Sequence, residues 1–259
     1  MRLASTSVGS DGPELLLLHG WGMNSGVWQG LLPGLSKRFR VTCLDLPGHG
    51  ASDYDPANSD LDCWTDACLD AAPGQAHWLG WSLGGQIAQR AALRAPDRVT
   101  SLVMVCSSPR FVSAKGWPHA VQVSTLRQFA ETLKKNHGQT LIRFLSLQVQ
   151  GDEQARDTLR LLRQEMDRRP IPNSRAMEDG LELLLQIDLR EQLCRLCCPS
   201  LWLFGRRDTL TPAQVAEDIS ELGISQARYR LLEGSAHAPI LSHPSQCLEA
   251  IDEFLGTIG

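Results

Sequence analysis

The stretch Leu79-Gly80-Trp81-Ser82-Leu83-Gly84-Gly85 leaves this chain the fewest choices. A short apolar run, Ala76-His77-Trp78-Leu79, precedes it, and a helical pattern from Gln86 to Ala92 follows. Gly80-x-Ser82-x-Gly84 therefore sits where a strand reverses sharply into a helix. Such a reversal forces the serine into strained backbone angles, and the flanking glycines let strand and helix approach without Cβ clashes. The hydroxyl then stands at the tip of the turn, with the partly positive N–H groups of the helix behind it. Two readings compete: an exposed nucleophile, or a Gly-rich turn with an incidental serine.

The rest of the chain alternates strand and helix. Leu15-Leu16-Leu17-Leu18 is a continuous apolar run, as for a strand buried on both faces, and ends in the turn His19-Gly20-Trp21-Gly22. Val27, Trp28, Leu31, Leu32 and Leu35 carry helical spacing. Val41-Thr42-Cys43-Leu44 is the next strand, running into the breaker-rich loop Asp45-Leu46-Pro47-Gly48-His49-Gly50-Ala51-Ser52. A helix over Leu61–Ala71, a strand over Ala76–Trp81 and a strand over Val99–Cys106 continue the rhythm. It stops at Ser107-Ser108-Pro109. The periodicity then predicts only amphipathic helices, over Leu126–Leu133, Leu141–Val149, Thr158–Met166 and Met177–Ile187. Strands return at Leu201–Phe204 and Ala227–Leu232, and a helix from Pro244 to Leu255 closes the chain. The expected architecture is α/β: a mostly parallel sheet with helices on both faces, built from residues 1–109 and 194–259, with a helical cap inserted at 110–193.

A serine hydroxyl needs a general base, and the base needs an orienting carboxylate. Phe204-Gly205-Arg206-Arg207-Asp208 places an acid just past the C-terminal end of a strand, where open α/β sheets hold their sites. Gly234-Ser235-Ala236-His237-Ala238-Pro239 places a histidine in the loop after the last strand. A helix cap before Pro212 and a polar loop histidine are the plainer readings of each alone. Together, in the order Ser, Asp, His, they make Ser82, Asp208 and His237 the expected catalytic triad. His19 and His49 precede Ser82 in loops with other roles, His77 lies within a strand run, His243 before Pro244 reads as structural, and His119 and His137 fall in the cap. The expected oxyanion donors are the backbone N–H groups of Leu83, after the serine, and Trp21, in the loop after the first apolar strand.

These segments resemble a known family. His19-Gly20-Trp21-Gly22, the Asp45–Gly50 loop, Gly80–Gly85, His237-Ala238-Pro239 through His243-Pro244, and Arg143-Phe144-Leu145-Ser146-Leu147-Gln148 are similar to those of pimeloyl-[acyl-carrier-protein] methyl ester esterases, α/β-hydrolases of biotin synthesis. The resemblance runs over nearly the whole chain. It implies hydrolysis of the methyl ester at the far end of a pimeloyl chain borne on acyl carrier protein through phosphopantetheine, without cofactor or metal. It further implies substrate contacts from Trp21, Ser82, Leu83, His237 and Phe144, Leu145, Ser146, Leu147 and Gln148, with Phe144, Leu145 and Leu147 lining an acyl channel. Arg143, Arg156 and Arg160 match family arginines that dock the small acidic carrier, whereas a further one falls at Gln139.

Composition narrows the alternatives. Residues 110–190 hold 13 Lys/Arg against 10 Asp/Glu, while the remainder is acidic. That distribution suits a local patch for an acidic partner and lacks the broad basic face that duplex nucleic acid needs. No run approaches a membrane span, and the N-terminus lacks the apolar segment of a signal peptide. Eight cysteines in 259 residues do not read as a secreted disulfide framework, and Cys194-x-x-Cys197-Cys198 lacks a second cluster to complete a metal site. A monomer in a reducing cytoplasm is the expectation. Short-chain esterases, lactonases and C–C bond hydrolases would share the triad, and a binding protein that lost catalysis would share the fold. Ser82 disfavours epoxide hydrolase or dehalogenase chemistry, which resembles this fold but uses a carboxylate at the elbow.

Overall fold

The computed structural model describes residues 1–258. Seven strands form one sheet: β1 Ser5–Val8, β2 Glu14–Leu18, β3 Arg40–Leu44, β4 Ala76–Trp81, β5 Val99–Val105, β6 Ser200–Gly205 and β7 Ala227–Leu232. Their spatial order is β1-β3-β2-β4-β5-β6-β7. Every neighbouring pair is parallel except β1 with β3. The helices are α1 Leu32–Leu35, α2 Leu61–Ala71, α3 Leu83–Arg94, α4 Val123–Lys135, α5 His137–Gln148, α6 Ala155–Asp167, α7 Ser174–Gln186, α8 Val215–Ser220, α9 Pro239–Ser242 and α10 Pro244–Gly256. The four helices α4 to α7 all fall between β5 and β6. No helix among the described residues is long and apolar enough to cross a membrane.

Burial on both faces explains the unbroken apolar runs in β2 and β4. Leu16, Leu18 and Trp78 point into one core, with Trp64 of α2 and Ile87 of α3. Leu15, Leu17 and Leu79 point into the other, with Trp28 and Ile251 of α10. The helix expected over Val27–Leu35 is instead a 3-10 turn, Ser25–Trp28, followed by the single turn α1. Gly30 and Pro33-Gly34 interrupt it, while Val27, Trp28, Leu31 and Leu35 still reach the core. The edge strand β1 and the short α8 were absent from the sequence expectation. β1 is mostly exposed and polar, Ser5-Thr6-Ser7, so it carries no hydrophobic signal.

The sheet brings three chain ends to one edge. Ser82 follows β4 directly, with φ 55° and ψ −119°, in the left-handed half of backbone space where a non-glycine residue is strained by roughly 1–3 kcal/mol. Neighbours hold the strain: Ser82 N–H donates to Val105 O at 3.0 Å, and Ser107 Oγ donates to Ser82 O at 2.7 Å. Gly84 permits the tight packing of α3 on β2. A Cβ there would lie 2.3 Å from Leu18 O and 2.5 Å from His19 O, both fixed backbone atoms. Gly84→Ala is therefore expected to destabilise the fold by about 3 kcal/mol, the upper range for overpacking. Urea titration checks this, and an unchanged midpoint contradicts it.

Candidate active site

Ser82, Asp208 and His237 come together beyond the C-terminal ends of β4, β6 and β7. His237 Nε2 lies 3.1 Å from Ser82 Oγ, and His237 Nδ1 lies 2.7 Å from Asp208 Oδ2. Ser82, Asp208 and His237 are 2%, 4% and 1% exposed respectively, so the relay is sealed from bulk water. Asp208 Oδ1 is separately engaged, accepting the N–H groups of Leu210 at 2.8 Å and Thr211 at 2.9 Å. The carboxylate is thus oriented by the backbone on one side and presents its other oxygen to the imidazole. Trp81 Nε1–H donates to His237 O at 2.7 Å, and the Phe111 ring stands edge-on to the imidazole at 6.1 Å. Neither Ser107 nor Phe111 carried a sequence signal; both lie in the loop after β5.

The Leu83 and Trp21 backbone N–H groups find no protein acceptor among the described residues. Leu83 is the first residue of α3, so its N–H is one of the helix's intrinsic orphans. The Trp21 loop is pinned from both sides. Its indole Nε1–H donates to Met177 O of α7 at 2.8 Å, and its ring meets Phe144 edge-on at 4.8 Å. His49 Nδ1–H donates to Pro47 O, and its Nε2 accepts the Gly22 N–H at 3.2 Å. His19 does the same one layer deeper, donating to Gly20 O and accepting from Leu46 N–H.

These loop histidines work only when neutral. Burial, with a smaller contribution from neighbouring His19, pushes His49 down to about 3 from its ordinary 6.5; burial also lowers His19. Below pH 6.5 the unfolded chain takes up protons that the folded chain refuses. Stability is thus full above about 6.5 and falls as pH drops toward 3. Denaturation midpoints across that window should fall with pH, and His49→Gln, neutral throughout, should flatten the slope. An unchanged slope contradicts this account of the loop.

The helical segment contributes unevenly. α5 turns Phe144 toward Trp21 and Phe129, while Leu145 packs with Trp81, Ala238 and Ile240 beside His237. Leu147 is half-buried. Gln148 O accepts the His237 N–H at 3.0 Å, and both atoms of its side-chain amide are buried without a protein partner. Ser146 lies on a different face from Phe144 and Leu145. It is exposed, with its hydroxyl donating to Ile142 O, because two residues along a helix from Phe144 lie on the opposite face. Arg143, Arg156 and Arg160 are exposed, as is Gln139. Arg156 and Arg160 line a surface depression of about 770 Å³ on α6 together with Arg163.

Among the described residues, one His/Cys/Asp/Glu group brings its ligand atoms within 4.8 Å of one another: Cys106, Asp208 and His237. Its imidazole and carboxylate already bond each other, and burial, with Asp208 nearby, holds the Cys106 thiol protonated. Cys194, Cys197 and Cys198 form no such group.

A serine–imidazole–carboxylate relay on the C-terminal edge of a parallel sheet defines a hydrolase-type site on an α/β scaffold. Residues 13–244 match the family model described as alpha/beta hydrolase fold. The chain is 43% identical to pimeloyl-[acyl-carrier protein] methyl ester esterase of Photobacterium profundum, covering 95% of each. It is 45% identical to the enzyme of that name from Nitrosomonas europaea, over 93% of this chain and 95% of the relative. The chain belongs to the α/β-hydrolase family and, within it, to the family of these esterases. A solved esterase from Exiguobacterium antarcticum superposes with a TM-score of 0.87 over 98% of this chain and 95% of its own, and at 21% identity it speaks for the fold alone.

Proposed function

We propose that this chain is a serine carboxylesterase that hydrolyses the methyl ester of a pimeloyl chain carried on acyl carrier protein, releasing methanol and the free acid. The Ser82–His237–Asp208 relay beside two unpartnered backbone N–H groups is the observation that carries the chemistry. The names of its relatives supply the substrate.

In this reading Ser82 Oγ attacks the ester carbonyl while His237 Nε2 takes its proton. Asp208 holds the imidazole in the tautomer with the proton on Nδ1 and stabilises the imidazolium. The Trp21 and Leu83 N–H groups receive the oxyanion, each worth roughly 2.7–4 kcal/mol in the transition state. His237 returns the proton to the departing methoxide. Water, activated by His237, then releases the acyl group from Ser82. Residues 110–193 act as a cap over a core of residues 1–109 and 194–259. Phe144, Leu145 and Leu147 of the cap border the acyl chain, and Gln148 offers its unpartnered amide to it.

The carrier docks on the exposed arginines. Arg143, Arg156 and Arg160 present positive charge to an acidic partner, and Gln139 narrows that footprint. The enzyme works as a monomer in the cytoplasm. The test is mass spectrometry of methyl-pimeloyl carrier after incubation with the protein. The expected product has lost one methylene unit with its thioester intact; cleavage at the thioester, or no product, contradicts the reading. Reversing Arg156 and Arg160 to Glu together should lower kcat/KM for the carrier ester about tenfold more than for a 4-nitrophenyl ester, most at low salt. Equal effects on both substrates contradict docking there.

A further inference from the structure

The turn between α5 and α6 grips the loop that carries His237. Three hydrogen bonds join them: His237 N–H to Gln148 O at 3.0 Å, Ala236 N–H to Asp152 Oδ2 at 2.9 Å, and Glu153 N–H to Gly234 O at 2.9 Å. Arg207, next to Asp208, adds Nη1–H to Gly151 O at 3.1 Å. The loops of both the histidine and the aspartate are therefore tied to a segment that lies 54 or more residues away along the chain.

Asp152 is the one buried residue that makes its tie through its side chain, at 7% exposure. Its Oδ1 accepts the Gln154 N–H at 2.7 Å and fixes the turn into α6, while Oδ2 reaches across to Ala236. A carboxylate accepting a backbone N–H makes a stronger bond than a neutral carbonyl does. The N–H it holds belongs to the Ser235–Ala236 peptide, one link before the Ala236–His237 peptide that Gln148 O holds. The indole of Trp81 holds the carbonyl on the other side of His237. The imidazole is thus set between a charged anchor before it and an indole anchor after it.

We propose that Asp152 is a positioning residue for His237, acting through the Ala236 peptide and touching no reacting atom. This rests on the reading of His237 as the general base. Asp152→Ser is the informative variant, because serine still caps Gln154 N–H but is too short to reach Ala236. With a 4-nitrophenyl ester, kcat should fall about tenfold while KM stays within about twofold, as expected when a catalytic group is slightly misplaced. The far-downfield proton NMR signal of the His237 Nδ1–H bonded to Asp208 should broaden or vanish, while the variant still unfolds in one cooperative transition and is folded at the assay temperature. Wild-type kcat, or an unaltered imidazole proton signal, overturns the assignment. So does failure of both Asp152→Ser and Asp152→Ala to fold, which would make the residue a folding element only. His237→Ala, measured alongside, separates the two levels. If it retains esterase activity, the reading of the site has failed; if it is inactive while Asp152→Ser is normal, only this inference has.

Discussion

Ser82→Ala is expected to lower kcat toward a 4-nitrophenyl ester by roughly five to six orders of magnitude, with little change in the fold. The size follows from the arrangement. Once Oγ is gone, His237 Nε2 has no hydroxyl to deprotonate, and no other serine or thiol replaces it. Ser107 Oγ is committed to Ser82 O, and the Cys106 thiol is held protonated by burial. What remains is the pair of N–H donors at Trp21 and Leu83, which still polarise a carbonyl but supply no nucleophile. The strained φ of 55° at position 82 tolerates alanine no worse than serine, so the melting temperature should hold. A loss below about a hundredfold, far short of that expected for a nucleophile, contradicts the assignment of Ser82.

Asp208→Asn should cost about four orders of magnitude in kcat while leaving KM and stability near those of the parent. The side chain's surroundings dictate the outcome. Leu210 and Thr211 aim two N–H donors at Oδ1, so the amide oxygen of asparagine must face them. Its NH₂ group then faces His237 Nδ1, where Oδ2 stood at 2.7 Å. That nitrogen must become the acceptor, which moves the imidazole proton to Nε2, the atom that has to receive the Ser82 proton. The variant keeps its shape and carries the wrong tautomer. Steady-state kinetics with thermal melts checks this, and a loss under about tenfold would contradict the role given to Asp208.

Much of this was legible because local constraints and chemistry coincide. The Gly80-x-Ser82-x-Gly84 turn needs glycine where backbone meets backbone, and the apolar runs of β2 and β4 are long and pure because both faces are covered. Leu61–Ala71 reads as a helix because Asp60 caps it and Trp64, Cys68 and Leu69 fall on one side. Other features had no such signature. β1 joins the sheet through its backbone ladder and one hydroxyl pair, Ser7 Oγ with Thr42 Oγ1 at 3.1 Å, and its polar side chains announce a loop. The spacing of Val27 to Leu35 imitates a helix because both its short turns bury the same side chains. The resemblance names Ser146 with its neighbours, and its position two residues after Phe144 puts it on the outer face of α5. Asp152 was unreadable for a different reason: its partner is a backbone N–H 84 residues away, and a tertiary hydrogen bond to a peptide leaves no mark on composition or periodicity.

In the proposed reaction the helical segment has a part in catalysis as well as in docking. With the three residues almost wholly buried, attraction between imidazolium and carboxylate is little screened, and the N–H donors face a developing oxyanion in a dry setting. Trp21 belongs to the sheet's loop, yet its indole is bonded to α7 and its ring meets Phe144 of α5, so the same contacts also fix the backbone N–H proposed as an oxyanion donor.

Labelling with a fluorophosphonate, followed by peptide mass spectrometry and activity assay on the same sample, tests the nucleophile directly. The account predicts one adduct per chain, on the peptide bearing Ser82, with esterase activity lost in proportion to its formation and slow or absent labelling in His237→Ala. Full activity in a fully labelled sample, or inactivation with the adduct on any residue other than Ser82, would contradict it.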